Sequence, residues 1–272
     1  MNKIASTVVL AILGILLSTH LLSKSQSSDV ITLTEYNHVL FSGEVNDQSV
    51  AEAQIKLGKI SKRLGKNETI YLVLDTPGGS ISAGNLFMDF AKSLPQNIKP
   101  ICIFCASMGY HFFQNFGERI VYQSSTLMSH RARLGGISGQ VPGEVNVRLG
   151  AIMAELDQMN QHVANRVGTS LADYNKLVHD ELWLSGTSAV KLKHADRVAK
   201  IKCDESIIDQ TRTEVLNLPQ FGVSVELLFS KCPMISGLLS YRIDKNKVLS
   251  QRETADMLVE IKRMKKSVRL EY

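Results

Sequence analysis

Apolar and polar positions follow two different periods along the first two hundred residues. Short apolar runs, typical of buried strands, occur at Val30–Leu33, 39–41, 70–74, 101–106 and 126–129. Between them, at 50–64, 86–94 and 108–116, apolar residues recur every three or four positions, which predicts amphipathic helices. This alternation of strands and helices predicts an α/β fold whose mostly parallel sheet is flanked by helices.

A longer helix is predicted to begin at Pro142. Its apolar residues alternate in steps of four and three, as in a heptad stripe: Val145, Leu149, Ile152, Leu156, Met159 and Val163. A small domain cannot cover the whole of so long a stripe, so we expect the helix also to contact a second copy of the chain. The alternative is that the stripe packs only on its own domain.

The chain begins with an uncharged, apolar stretch at residues 4–22. A stretch of this kind is a cleaved secretory signal or an uncleaved membrane anchor, with a buried core helix as the alternative. A signal or an anchor would place the rest of the chain outside the cytoplasm. In a bacterium this location would be the inner membrane or the periplasm. We therefore divide the chain into a signal or anchor with its linker (1–28), a main α/β domain (29–200) and a small C-terminal extension (201–272).

Composition limits the other classes of function. The 272 residues are 44% hydrophobic, enough for one large core and a small second unit, and the net charge of +5 does not require a nucleic-acid partner. Within the extension, residues 221–239 are rich in apolar side chains, but Glu226, Lys231 and Pro233 interrupt them and argue against a transmembrane span. A last amphipathic helix is predicted near residues 253–264. Its basic end is either solvated or in contact with anionic lipid or a partner.

Candidate chemistry lies at the ends of three predicted strands. These ends carry the sequences PGGS at 77–80, ASMG at 106–109 and LMSH at 127–130. Because sites in parallel sheets lie at the carboxyl ends of strands, the three motifs can converge. Ser107 falls on a strand-to-helix turn, where the N–H of Met108 can receive developing negative charge, and Gly79 offers a second backbone donor. Together they indicate a serine nucleophile site.

The order of these motifs resembles that of the Clp (caseinolytic) serine peptidases, within the larger ClpP/crotonase-like superfamily. The matching segments are FSGEVND at 41–47, LDTPGGS at 74–80, ASMG at 106–109, His130, LGG at 134–136 and GQ at 139–140. The resemblance spans roughly residues 39–198, and several ordered motifs are far more specific than one alone. It implies a core of repeated β-β-α units with no metal or cofactor.

The resemblance also implies a role for each of these residues. Ser107 would be the nucleophile and His130 the base, with the N–H groups of Gly79 and Met108 as oxyanion donors. Gly78, Leu134, Gly135 and Gly136 would lie along the substrate-binding cleft. The nearby His111, on the helix after the serine, is expected to point away from the hydroxyl.

The third member of the triad is left open between two acids. The family places an acid four positions before a small hydroxyl residue, an offset that Glu181 has relative to Ser185. Asp180, one residue earlier, has the usual side-chain type and is slightly favoured on that ground. The alternative is that both carboxylates are merely solvated.

The resulting interpretation is an exported or membrane-associated serine endopeptidase acting on peptides or proteins as a homo-oligomer. An ATP-driven unfoldase partner is not expected, because ATP is absent outside the cytoplasm. Two alternatives are a catalytically silent Clp-like scaffold and a crotonase-type acyl-CoA enzyme. The pair of Ser107 and His130 argues against the acyl-CoA enzyme. A Ser-Lys mechanism lacks support because His130 occupies the position of the base.

The four cysteines form two pairs in the sequence. Cys102 and Cys105 lie in a buried strand whose side chains alternate between faces, so we expect neither metal binding nor redox use of this C-x-x-C spacing. Cys203 and Cys232 lie beyond the resemblance. They are either free or joined in a disulfide, which an extracytoplasmic location would permit.

Overall fold

The computed structural model of the chain describes residues 30–235, 237–243 and 250–266. The predicted signal or anchor at 4–22 lies outside these residues. Within the described part, no helix combines the length and apolar character needed to cross a bilayer. The elements are β1 (Val30–Leu33), β2 (His38–Ser42), α1 (Asp47–Ser61), β3 (Thr69–Thr76), α2 (Ile81–Lys92), β4 (Asn97–Ala106), α3 (Met108–Asn115), β5 (Ile120–Ser129), α4 (Gly143–Val167), α5 (Leu171–Leu177), β6 (Leu182–Ser185), α6 (Gly186–Lys191), β7 (Arg197–Val198), β8 (Lys200–Cys203), α7 (Glu205–Ile208), β9 (Thr211–Leu218), β10 (Val223–Ser230), β11 (Leu238–Ile243) and α8 (Gln251–Lys266).

The central sheet confirms the predicted α/β class. Its strands run in the order β2-β3-β4-β5-β6, with β2 to β5 parallel, β6 antiparallel to β5, and β7 also paired with β5. The strand β5 begins at Ile120, six residues before the predicted start. A polar segment, Tyr122 to Ser125, interrupts its apolar pattern, so the apolar periodicity does not assign the first two residues to the strand.

Two apolar layers bury the sheet on both faces. On one face, Phe41, Phe87 and Phe112 join strand β2 to helices α2 and α3, with ring centroids 4.9–5.4 Å apart. On the other face, the small β1-β8 sheet and α7 cover residues of the central strands such as Val73 and Ile101. Burial on both faces explains why the central strands read as almost continuous apolar runs.

A bulge at Ile103 corrects the expectation for Cys102 and Cys105. Leu74 of β3 pairs with Cys102, whereas the next residue, Asp75, pairs with Phe104. The extra residue resets the alternation of side chains, so both cysteines lie on the same face of the sheet. They form a disulfide with their Cα atoms 5.8 Å apart. The prediction that alternation keeps them apart is wrong because periodicity alone does not reveal a bulge.

The C-terminal extension forms an antiparallel sheet with strand order β11-β10-β9. Residues Met257 and Ile261 of α8 are buried together with Val225, Leu227 and Phe229 of β10. The apolar segment at 221–239 therefore builds strands of this sheet. A disulfide between Cys203 and Cys232 ties the extension to the end of β8, so the pairing left open by the sequence is present.

Helix α4 begins at Gly143, directly after Pro142, as predicted. Towards its C-terminal end, Val163 is buried and Met159 packs against the main core. Towards its N-terminal end the stripe is only partly covered, and Leu149 keeps 39% of its surface exposed. The described chain thus covers only one end of the apolar stripe.

Candidate active site

Ser107 occupies a strained turn between β4 and α3. Its φ of 54° and ψ of −118° lie in a region that residues with a side chain rarely adopt, so its neighbours must hold it there. The Ser107 N–H donates to the carbonyl oxygen of Met128 at 2.9 Å, and the Ser107 carbonyl accepts from the N–H groups of Tyr110 and His111. The hydroxyl does not cap α3, which leaves it available for chemistry.

The glycines before α2 permit a second turn to approach Ser107. Gly78 and Gly79 have φ values of 90° and 146°. A Cβ on Gly78 would lie 2.6 Å from the Ser107 Cβ and 2.7 Å from the Met108 nitrogen. A Cβ on Gly79 would lie 2.3 Å from the Val45 carbonyl oxygen. Only glycine fits at both positions.

Two backbone N–H groups face this junction. Val45 forms a parallel bridge with Gly79: the Val45 N–H donates to Gly78, and the Ser80 N–H donates to Val45, each at 2.8 Å. In such a bridge the N–H of Gly79 itself points away from Val45, towards the side of the sheet where β4 ends. The N–H of Met108 is the first of α3 and has no intrahelical acceptor. The same two N–H groups are named as candidate oxyanion donors in the sequence analysis.

His130 follows the last residue of β5, at the same edge of the sheet as Ser107. Ala106 pairs with Met128 in the parallel ladder, so Ser107 and His130 lie just past the ends of adjacent strands. The preceding residue, Ser129, is buried, and its hydroxyl forms a 2.7 Å hydrogen bond with the buried hydroxyl of Tyr174. This bond fixes the end of the strand that precedes His130.

The two candidate acids occupy different environments. Ser129 pairs with Leu182 in the antiparallel ladder, and continuing that register places Glu181 opposite His130. Glu181 has a φ of 74° and accepts a 3.0 Å hydrogen bond from the indole of Trp183. Asp180 is 92% exposed and bonds to Nδ1 of the neighbouring His179 at 2.6 Å. The register therefore favours Glu181 over Asp180, the reverse of the preference based on side-chain type.

The predicted substrate-binding residues Leu134, Gly135 and Gly136 lie in an exposed segment between β5 and α4. The segment has no helix or strand, and Gly136 has a φ of 38°. Arg133, just before it, has its guanidinium 3.8 Å from the Glu181 carboxylate. An open segment directly after His130 is suited to contact an extended peptide.

A second histidine near the site has no assigned role in the sequence analysis. His111 lies one turn after Ser107, and its Nδ1 is buried with no hydrogen-bond partner among the described residues. Burial, with smaller contributions from the neighbouring His162 and His130, lowers the pKa of His111 to about 4. In the sequence analysis, His111 is named only as a ring expected to point away from the Ser107 hydroxyl.

A buried polar network joins α3 to residues that follow it in the chain. Arg119 is 4% exposed, and its guanidinium makes a 2.6 Å ion pair with Asp196 and a 2.6 Å hydrogen bond to Gln114. The Tyr110 hydroxyl is 2.5 Å from Nδ1 of His194. Burial lowers the pKa of His194 to about 4, with the nearby Arg119 charge acting in the same direction. Sequence reasoning missed this network because its members are far apart along the chain.

The candidate site offers side chains and backbone N–H donors. Within residues 30–235, 237–243 and 250–266, no group of three His, Cys, Asp or Glu side chains is arranged to hold a metal ion. The arrangement supplies a hydroxyl, an imidazole at the adjacent strand end, a carboxylate in register with it and two inward N–H groups. These are the parts required for acyl transfer through a serine.

Comparison with known proteins identifies the relatives of this chain. A family model described as Clp protease matches residues 23–202. The ATP-dependent Clp protease proteolytic subunit 2 of Prochlorococcus marinus (strain MIT 9312) is 26% identical over 173 residues, which cover 62% of this chain and 85% of the relative. Proteolytic subunit 3 of Synechococcus sp. (strain CC9902) is 27% identical over 174 residues, covering 62% and 86%. Subunit 1 of Gloeobacter violaceus is 25% identical over 180 residues, covering 65% and 90%. The chain belongs to the Clp protease family.

Proposed function

We propose that the chain is a serine endopeptidase with Ser107 as its nucleophile. The observation that carries this proposal is the strained Ser107 turn, whose hydroxyl does not cap α3 and which lies against Gly78 and the N–H of Met108. A strained conformation at the nucleophile persists only where the surrounding structure enforces it. The membership of the family supports the same residue.

The reaction follows from the groups around Ser107. The Ser107 Oγ attacks the carbonyl carbon of the scissile bond while His130 accepts the hydroxyl proton. The N–H groups of Gly79 and Met108 donate to the oxyanion of the tetrahedral intermediate. His130 then returns the proton to the leaving amine, and a water molecule hydrolyses the acyl-enzyme by the same steps in reverse.

Glu181 is proposed to orient His130, with Asp180 as the alternative. The extended β5-β6 register puts the Glu181 backbone opposite His130, and the Trp183 indole donates to its carboxylate. A glutamate is one methylene longer than the usual aspartate. Its φ of 74° changes the direction in which the side chain leaves the strand, which supports a local adjustment to the greater length.

Assembly into a homo-oligomer and a peptide or protein substrate are part of the proposal. The relatives are named as proteolytic subunits. On this chain, the N-terminal half of α4 presents a partly covered apolar stripe, which suits contact with a second copy. The adjoining glycine segment, with Gly135 and Gly136, would border the substrate.

A location outside the cytoplasm is also proposed, by export or through an N-terminal membrane anchor. The two disulfides, Cys102–Cys105 and Cys203–Cys232, support it because such bonds persist mainly in oxidising compartments. An ATP-driven unfoldase would then not be a partner.

The test is labelling of the oligomeric protein by a fluorophosphonate probe. We expect labelling of the wild-type chain at Ser107, none in Ser107→Ala, and a large loss in His130→Ala. A peptide library then supplies the cleavage specificity. Wild-type protein that assembles but reacts with neither the probe nor any peptide would replace the peptidase with the scaffold alternative.

A further inference from the structure

The disulfide between Cys102 and Cys105 lies directly behind the nucleophile. Cys105 lies on β4 two residues before Ser107, and both cysteines are completely buried. The mechanism uses neither sulfur. The covalent ring encloses only Ile103 and Phe104, so it constrains the part of β4 that contains the bulge.

The bulge at Ile103 determines the pairing of the end of β4 on both sides. Towards β3, the register shifts between the partners of Cys102 and Phe104. Towards β5, Cys102 pairs with Val121 but Phe104 pairs with Thr126, so the register of β5 is also irregular at this point. Within this irregular part of β5, the Ser125 hydroxyl donates to the Cys102 carbonyl at 2.6 Å.

The segment after the bulge holds Ser107 in its strained conformation. Ala106 pairs with Met128, and the Ser107 N–H donates to the Met128 carbonyl. If β4 lost its bulge, every later residue would move by one position and its side chain would change face. The hydrogen bond from Ser107 to Met128 and the approach of Gly78 would then be lost together.

We propose that the Cys102–Cys105 disulfide positions Ser107, so that the nucleophile is competent only in the oxidised protein. The inference rests on the proposed peptidase function and names a means of regulating it. A chain with both thiols reduced has no covalent constraint on the bulge. Such a chain would stay silent before export and gain activity in an oxidising compartment.

The oxidation is a thiol–disulfide exchange with a disulfide oxidant, either a small molecule or a protein. The Cys102 thiolate attacks one oxidant sulfur and releases the other as a thiolate. The Cys105 thiolate then attacks the Cys102 sulfur of the mixed disulfide, releasing the second thiolate of the oxidant. The two cysteines lose two electrons, the oxidant gains them, and the two thiol protons pass to the released thiolates.

Because the two sulfurs are buried, the Cys102–Cys105 disulfide is expected to form once and not to act as a reversible redox sensor. Both sulfurs have no exposed surface in the folded chain, so neither an oxidant nor a reductant can reach them without opening the structure. Oxidation must therefore precede or accompany folding. The second disulfide, Cys203–Cys232, is outside the central sheet and serves as the matched control.

The experiment compares two double variants of the full chain, Cys102→Ala/Cys105→Ala and Cys203→Ala/Cys232→Ala. Three quantities are measured on each oligomer: the rate constant of fluorophosphonate labelling, the melting temperature, and hydrogen exchange of the Ser107 amide. We expect labelling of the first variant to fall about a hundredfold, as for a ~1 Å misplacement of a catalytic group. The Ser107 amide should lose protection in this variant only. The second variant should keep both its labelling rate and its protection at the wild-type level.

A parallel measurement uses the wild-type chain refolded with excess dithiol or with oxidised glutathione, each then alkylated to count free thiols. This measurement replaces the first variant if that variant fails to fold. The labelling rate should follow the oxidised fraction of Cys102 and Cys105.

Equal labelling with and without this disulfide would overturn the inference but leave the peptidase proposal intact. If oxidised wild type is unreactive while Ser107 protection still depends on the disulfide, the peptidase proposal fails and the positioning role stands. Protection that does not depend on the disulfide would overturn the positioning role.

Discussion

The indole Nε1 of Trp183 donates a hydrogen bond to the Oε2 of Glu181 at 3.0 Å. The two residues are two positions apart at the start of β6, and the register of that strand places Glu181 opposite His130. The bond restrains a carboxylate that is otherwise 39% exposed. It gives the two candidate acids different expected roles, because the partner of Asp180 among the described residues is the exposed His179.

Replacing Glu181 by Gln should lower kcat by about 10³-fold or more, within the range seen when the acid of a triad is lost. The amide cannot stabilise the imidazolium that forms on His130. Asp180→Asn is the matched control and should change kcat by less than about twofold. Steady-state kinetics on a fluorogenic peptide measures both, and the opposite ranking would return the role to Asp180.

Trp183→Phe should keep the strand folded while it frees the Glu181 carboxylate. We expect the free energy of unfolding to fall by about 1 kcal/mol, the usual net contribution of one hydrogen bond. The value of kcat should fall about tenfold with KM unchanged, because the defect lies in the orientation of His130. An unchanged kcat would mean that the indole has no part in catalysis.

Gly79→Ala should abolish labelling of Ser107 and destabilise the protein. The new Cβ would be 2.3 Å from the Val45 carbonyl oxygen, at a φ of 146°. The turn must move, and its N–H donor moves with it. Gly58→Ala on α1 is the control, since its Cβ meets only Phe90, at 3.8 Å. That variant should label normally and gain up to about 1 kcal/mol of stability.

Asp196→Ala should destabilise the protein by about 3 kcal/mol or more, because it leaves the buried guanidinium of Arg119 without its ion pair. Burial raises the pKa of Asp196, but hydrogen bonds and charge from Arg119 outweigh this effect and leave the pKa below its usual value. The control is Glu226→Gln, in an exposed pair with Arg242, which should cost less than about 1 kcal/mol. Denaturant unfolding compares the two, and equal losses would contradict the prediction.

The stability of the protein should fall as the pH is lowered from 6.5 towards 4. The pKa of His111 is about 4 in the folded chain and 6.5 in the unfolded one, so the unfolded state binds more protons across this interval. The loss is about 1.4 kcal/mol per pH unit for one such group. His111→Phe should reduce this slope by about that amount without removing it, because His194 titrates in the same direction. Urea unfolding at several pH values measures the slope, and an unchanged slope would place the His111 ring in solvent.

Much of the fold and the site could be predicted because strand ends are marked by local sequence. Apolar runs buried on both faces, followed by glycine or serine turns, place Gly79, Ser107 and His130 at one edge of the sheet. The bulge at Ile103 could not be predicted, because one extra residue in an apolar run leaves no trace in its composition. The sequence offers both Asp180 and Glu181 as candidate acids but does not distinguish them, since the register that places Glu181 opposite His130 depends on pairing with β5 fifty residues earlier.

The bond between Cys203 and Cys232 closes a covalent loop that contains α7, β9 and the whole of β10. A single cut anywhere inside that loop leaves the two pieces joined through sulfur. The chain is itself proposed to hydrolyse peptide bonds. The disulfide would therefore keep the extension attached after an autolytic cut within the loop. A nicked molecule would migrate as one band in a denaturing gel and separate into two only after reduction.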